Sequence, residues 1–184
     1  MPLRGRSNLT DESIFFVTTT VNNFQKVFSI EECCNVLINN IKHYQKRYNF
    51  SILAYVIMPH HFHWIVIVDT KKGTISDVMR DIKKYSAWDI LDIIEKENLS
   101  MYRKFSNPKV FGQKRQLWMH RFDDKVVRTQ SMFELQVEYI HNNPVKSGLV
   151  AKPADYKYSS ARNYYDNDHS VIEVDTGFFR LQHP

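Results

Sequence analysis

Apolar positions along this chain recur at two periods, and each period assigns an element. Residues 14–21, IFFVTTTV, are β-branched and aromatic and predict a first strand. Across Glu31–Tyr48, the residues Cys34, Leu37, Ile38, Ile41 and Tyr44 return every three or four positions, which predicts a helix. Phe50–Ile57 predicts a second strand, which Pro59 interrupts because proline gives up a ladder donor. His61–Val68 predicts a third, so the two form a hairpin around the stretch MPHH. KKGT then breaks the pattern. Thr74 and Asp77 stand in capping-box spacing, with Asp in the usual Glu place, and Ile75, Val78, Met79, Ile82 and Tyr85 line one face of a helix running towards Glu97. A fourth strand is expected near Leu117–Phe122, and Ser131 with Glu134 opens a helix that Pro144 ends. Beyond KSGLV the chain is irregular and rich in tyrosine.

The order β-α-β-β-α-β plus one helix is an α+β, ferredoxin-like split βαβ pattern: an antiparallel sheet with an added C-terminal helix. At 184 residues, with no repeats and no low-complexity linker, the chain is expected to be one domain over residues 1–165 and a tail over 166–184. The only two cysteines, Cys33 and Cys34, point about 100° apart on a helix and do not suit a disulfide with each other. Free thiols fit a reducing cytoplasm. The N-terminal stretch lacks the apolar core of a signal peptide, and no apolar run is long enough to span a bilayer, so a cytoplasmic protein away from membranes is expected.

Charge adds a partner class. The net charge is +5, and from Met101 to Gln130 eight basic residues (Arg103, Lys104, Lys109, Lys114, Arg115, Arg121, Lys125, Arg128) face only Asp123 and Asp124. Tyr102, Phe105, Phe111, Trp118 and Phe122 interleave with them. Cations for phosphates among flat rings for bases is how single-stranded nucleic acid is commonly held. The competing reading, a solvated basic loop over core aromatics, has equal weight on composition alone.

Three histidines, His60, His61 and His63, open the third strand. Side chains alternate along a strand, so His61 and His63 share a face with Ile65 and Ile67, while His60, Phe62, Trp64 and Val66 share the other. Two imidazoles on one face can converge on a divalent cation, although two hydrogen-bonded, inert histidines at a hairpin mouth have the same signature. The helix SMFELQVEYIHNNP offers further groups. Tyr139 and Asn143, four apart, share a face: a phenol and, one turn on, an amide oxygen for a hard cation. A phenol beside a metal that binds phosphate oxygens can attack phosphorus. His141 points elsewhere. Two imidazoles are atypical for Mg²⁺ and suit Mn²⁺ better.

YVIMPHHFHWIVIV resembles the hairpin of the HUH single-tyrosine transposases, with His61-Phe62-His63 as the motif. VEYIHNNPVKSGLV resembles the tyrosine helix of the REP-associated tyrosine transposase (IS200-like) branch. LWMHRFDDKVVR, Lys83–Tyr85 within MRDIKKYSA, and DYKYSSARNYY extend the likeness over about Ile14 to Tyr165. The resemblance implies a divalent metal, Mg²⁺ or Mn²⁺, on His61, His63 and Asn143, with Tyr139 as nucleophile. It implies cleavage of single-stranded DNA beside a hairpin through a 5′-phosphotyrosine, with the free 3′-hydroxyl able to reverse the step. Lys83, Lys84, Arg103, Lys104, Lys114, Arg115, Trp118, Arg121 and Arg128 are the expected nucleic-acid contacts. The family also includes homodimers that exchange the tyrosine helix, besides monomers. His60 stands where the family usually has Asn, and it is expected to face away from the metal, as a group behind the ligands. The C-terminal segment often touches DNA in this branch. Competing functions are a domesticated, non-cleaving module for structured single-stranded DNA or RNA, and a hydrolase of small phosphoesters, against which the basic aromatic stretch speaks.

Overall fold

The computed structural model describes residues 13–106 and 115–178. Among these residues nine strands and α-helices succeed one another: β1 Ile14–Thr20, α1 Glu31–Tyr48, β2 Ser51–Met58, β3 His61–Ile67, α2 Ile75–Glu97, α3 Leu99–Arg103, β4 Asp123–Val126, α4 Gln130–Lys146 and α5 Ala161–Asp166. The strands form one antiparallel sheet in the order β2-β3-β1-β4. This is the split βαβ arrangement expected from the pattern, with α4 as the added helix.

β3 lies between β2 and β1, which pair both its edges, and a separate core covers each of its faces. Phe62, Trp64 and Val66 pack into the larger core with Leu37 and Ile41 of α1 and with Val78, Met79 and Ile82 of α2. Ile65 faces the other way, into a smaller core with Phe16, Val56, Met58, Phe133 and Ile140, beneath α4. The two residues Pro59 and His60 alone separate β2 from β3. This short turn is held from outside: Val21 N–H donates to the His60 carbonyl at 2.8 Å and Phe28 N–H to that of Pro59 at 2.9 Å. The Thr74 hydroxyl accepts from Asp77 N–H, and the Asp77 carboxylate accepts from Thr74 N–H, so the expected box caps α2.

Several expectations are displaced. The fourth strand is Asp123–Val126, not Leu117–Phe122. Trp118 does bridge to Val21, but the register then slips by two before Thr18 meets Asp123, because residues 119–122 bulge outward. The Lys83 ammonium takes up that bulge, donating to the carbonyls of Met119 (2.7 Å) and His120 (3.2 Å). α4 is capped by Thr129, whose hydroxyl accepts from Met132 N–H, rather than by Ser131. Pro144 does not stop it: the helix runs on to Lys146, since a proline there forfeits one donor while its fixed φ stays helical. Tyr85 is 37% exposed and Ser86 takes the buried place, accepting from the Trp118 indole N–H. The segment expected to be a tail is part of the fold: Ile172 and Val174 lie in the larger core and Asp175 N–H donates to the Ile52 carbonyl.

The tyrosine-rich segment covers the open edge of β2. Ile57 N–H donates to Tyr158, Ser160 N–H to Tyr55, and the Tyr156 and Tyr164 hydroxyls to the carbonyls of Ile57 and Leu53. An edge satisfied in this way is closed to pairing with another chain. Cys33 and Cys34 are both buried free thiols, pushed up to about 12 chiefly by burial, which disfavours the reactive thiolate. Among the described residues, no helix is long and apolar enough to cross a membrane.

Candidate active site

Strand alternation puts His61 and His63 on the α4 side of the sheet, opposite Thr20 and Thr18 of β1. Their ring centroids are 4.6 Å apart. His63 is buried, and the Thr18 hydroxyl lies 2.7 Å from its Nδ1. Its other nitrogen, Nε2, is buried with no hydrogen-bond partner among the described residues. A buried polar atom without a partner is costly, and a cation is one group that would satisfy it. Burial, reinforced by the neighbouring His60, pushes His61 down to about 4. Burial, with His61 and His60 beyond it, pushes His63 down to about 3. Both rings are therefore neutral around pH 7, with lone pairs available for a metal. Among the described residues no three His, Cys, Asp or Glu side chains gather as a metal centre, so a third protein ligand would have to be of another type.

α4 brings the phenol. Phe133, Ile140 and Pro144 bury one face of the helix, and Tyr139 sits on its flank, 42% exposed. Its ring stands edge-on to His63, centroid to centroid 5.2 Å, with Phe16 6.0 Å away. Phe16 stacks on His63 at 5.6 Å, so one apolar ring contacts both His63 and Tyr139. Asn143 lies one turn on, on the same flank and half-buried. His141 points away: its Nε2 is 2.8 Å from the Ser160 hydroxyl, which accepts from Tyr55 N–H. Burial pushes His141 down to about 4, and it serves the packing of the C-terminal segment.

The structure also brings in groups that the sequence pattern did not single out. Thr18 fixes the His63 ring, and Phe16 sets its distance from Tyr139. Lys146 holds its ammonium 5.9 Å from the Tyr139 ring centroid. Its signal was the spacing of seven, two helical turns from the tyrosine. The strand pattern of Thr18 and Phe16, two apart on β1, was visible but not connected to the histidines.

The expected nucleic-acid residues divide. Arg103, Lys104, Arg121 and Arg128 are exposed. Lys84 is exposed too, its ammonium over the rings of Tyr85 and Trp88, but α2 covers the sheet face opposite the His61–His63 pair. Lys83 is engaged by the bulge carbonyls. Arg115 lies over the Tyr102 ring at 4.4 Å. Trp118 is a correction: at 4% exposure it packs on Phe28 and Phe62 and has no face to offer a base. Phe105 is likewise buried, so the described rings of the basic stretch are largely core. Lys114, with Lys109 and Phe111, lies outside the described residues.

Residues 13–143 match the family described as transposase IS200 like. The chain is 28% identical over 124 residues to the REP-associated tyrosine transposase of Escherichia coli (strain K12), a match that covers 65% of this chain and 62% of that protein, just under two thirds of its length. A Haemophilus influenzae protein of the same described family is 23% identical over 155 residues, covering 84% of this chain and 83% of that one. A solved structure of a REP-associated tyrosine transposase bound to a REP hairpin shares the fold, with a TM-score of 0.65 at 22% identity, over 90% of this chain and 87% of the other.

Proposed function

Because the chain belongs to the IS200-like transposase family, we propose that it nicks and rejoins single-stranded DNA beside a hairpin, with Tyr139 as the nucleophile. The observation that carries this reading is the Tyr139 ring set against His63, whose buried Nε2 has no partner among the described residues. His61 and His63 would hold a divalent metal, Mg²⁺ or Mn²⁺, with the Asn143 amide oxygen as the third protein ligand; the ready neutral imidazoles and the orphaned Nε2 fit such an ion. When bound, the ion supplies charge neutralisation at the scissile phosphate.

The rest of the chemistry belongs to the chain. The Tyr139 oxygen attacks phosphorus, the bond from phosphorus to the 3′ oxygen breaks, and the product is a 5′-phosphotyrosine with a free 3′-hydroxyl. Attack by a 3′-hydroxyl on that phosphotyrosine reverses the step, so strands rejoin without an external energy source. Lys146, its ammonium 5.9 Å from the centre of the Tyr139 ring, would add positive charge on the side of the ring as the phenol loses its proton. Phe16 keeps His63 and Tyr139 at a fixed separation, which favours a near-attack geometry. Tyr139 meets a histidine of its own chain, which supports action in cis; a homodimer is not required. Arg121 and Arg128, exposed on either side of β4, suit contacts to the DNA backbone.

End-labelled single-stranded DNA hairpins with unpaired flanks, incubated with Mg²⁺ or Mn²⁺, test the proposal on a denaturing gel. Tyr139→Phe is expected to abolish the covalent protein–DNA adduct and leave hairpin binding largely intact. An undiminished adduct in that variant removes Tyr139 from the mechanism. Binding without any adduct in the parent protein would support the non-cleaving module instead.

A further inference from the structure

The loop that clasps the β2–β3 turn carries a feature the reaction above does not use. Phe24 is 62% exposed, and both it and Asn23 hold positive φ, 52° and 55°. Left-handed backbone is unfavourable for a bulky residue, and two such residues in succession need a reason. Burial does not offset the strain here, because the ring faces outward. The conformation is nevertheless fixed: the Asn23 side-chain amide donates to the Lys104 carbonyl at 3.0 Å, and the Gln25 amide donates to the Asn23 carbonyl at 2.9 Å.

The exposed ring also has a direction. Phe24 stands edge-on to His60 at 5.8 Å, His60 lies 4.5 Å from His61, His61 4.6 Å from His63, and His63 5.2 Å from Tyr139. Five rings thus form an unbroken row from the nucleophile to an outward-facing phenyl. Exposed Lys26 lies two residues beyond Phe24 in the same loop, and the Asn23 bond brings exposed Lys104 alongside it. An open aromatic face flanked by cations is the arrangement that stacks a base and holds its phosphates.

The geometry points to Phe24, backed by His60, as a stacking platform for one unpaired nucleobase of the DNA strand leading to Tyr139, with Lys26 and Lys104 beside its phosphates. His60 then acts through Phe24 and the turn, as a positioning residue rather than as a metal ligand. The choice of DNA as the occupant rests on the function proposed above; the presence of a base-stacking site rests on the loop alone.

Binding measured in the Tyr139→Phe background separates the two claims, since it needs no cleavage. The probes are a fluorescently labelled DNA hairpin with unpaired flanks and the same stem without flanks. Phe24→Ala is expected to weaken binding of the flanked hairpin roughly 5- to 150-fold, the range for losing one base–aromatic stack, and to leave the bare stem within about twofold. Phe24→Trp should retain full affinity. A 2-aminopurine moved along the flank should be quenched at one position, and Phe24→Ala should relieve that quenching. Equal affinity of Phe24→Ala and its parent for the flanked hairpin, or an equal loss for both probes, overturns the platform. Adduct formation by Tyr139 with no flank effect leaves the nickase standing and the platform refuted; a flank effect without an adduct does the reverse.

Discussion

Thr18→Val tests whether the Thr18 hydroxyl prepares His63 for the metal proposed above. The substitution keeps the shape of a β-branched strand residue and removes only the hydroxyl 2.7 Å from Nδ1. A cation on Nε2 requires the ring proton to sit on Nδ1 and donate to that hydroxyl; without it, the buried ring is free to carry its proton on Nε2 and block the site. Losing such a support costs about 10- to 100-fold in metal affinity. Leaving Nδ1 buried without a partner costs about 1–3 kcal/mol of stability in the metal-free protein. Calorimetric titration with Mn²⁺ reads the first quantity and urea unfolding in a chelator the second. Both losses should appear together, Thr18→Ser should recover most of each, and saturating Mn²⁺ should restore the rate of adduct formation in Thr18→Val. A variant that loses stability but binds Mn²⁺ as tightly as the parent refutes the reasoning: Thr18 would then be a strand residue only, and Nε2 of His63 would not be where the ion goes.

Trp118→Ala should cost about 3–5 kcal/mol of stability by urea unfolding, as expected for deleting a buried indole, whereas Arg121→Ala, exposed, should leave stability within about 0.5 kcal/mol and reduce the salt dependence of DNA binding by about one ion. Lys146→Met should slow adduct formation by roughly two- to fivefold, the scale of one exposed charge pair; a matching loss of DNA affinity at unchanged rate would make it a phosphate contact instead. His141, at an ordinary 6.5 when unfolded and about 4 when buried, takes up a proton on unfolding between those values. Its stabilising effect is full above pH 6.5 and is lost as pH falls towards 4, by about 3 kcal/mol. His141→Asn should therefore flatten the pH dependence of the urea midpoint over that window by about one proton, and an unchanged slope would exclude His141 as its source.

Local periodicity made part of the fold legible along the chain. The bounds of α1, the Thr74 cap and the separation of His61 and His63 from Phe62 and Trp64 come from the repeat of one strand or one helix, so no distant partner was needed to place them. The position of β4 was different. Leu117–Phe122 has the better strand composition, but the pairing with β1 slips at a bulge whose carbonyls are taken by Lys83, a residue 36 positions away from Met119. The tyrosine-rich segment could not be read for the same reason: its bonds go to the edge of β2, roughly a hundred residues earlier.

The basic aromatic stretch misled for a more general reason. Rings alternating with cations are what nucleic-acid binding requires, but they are also what any segment produces when it crosses a surface with its apolar side inward. Trp118 and Phe105 turn inward, Arg103, Lys104 and Arg121 turn outward, and among the described residues much of the interleaving is met by packing alone. Stacking depends on exposure, and exposure depends on backbone conformation. At Phe24 the ring is open because two successive residues adopt left-handed φ and a side-chain bond to Lys104 holds them there. Neither condition leaves a trace in composition or period, so among the described residues the ring proposed to meet a base lies outside the stretch whose composition advertised one.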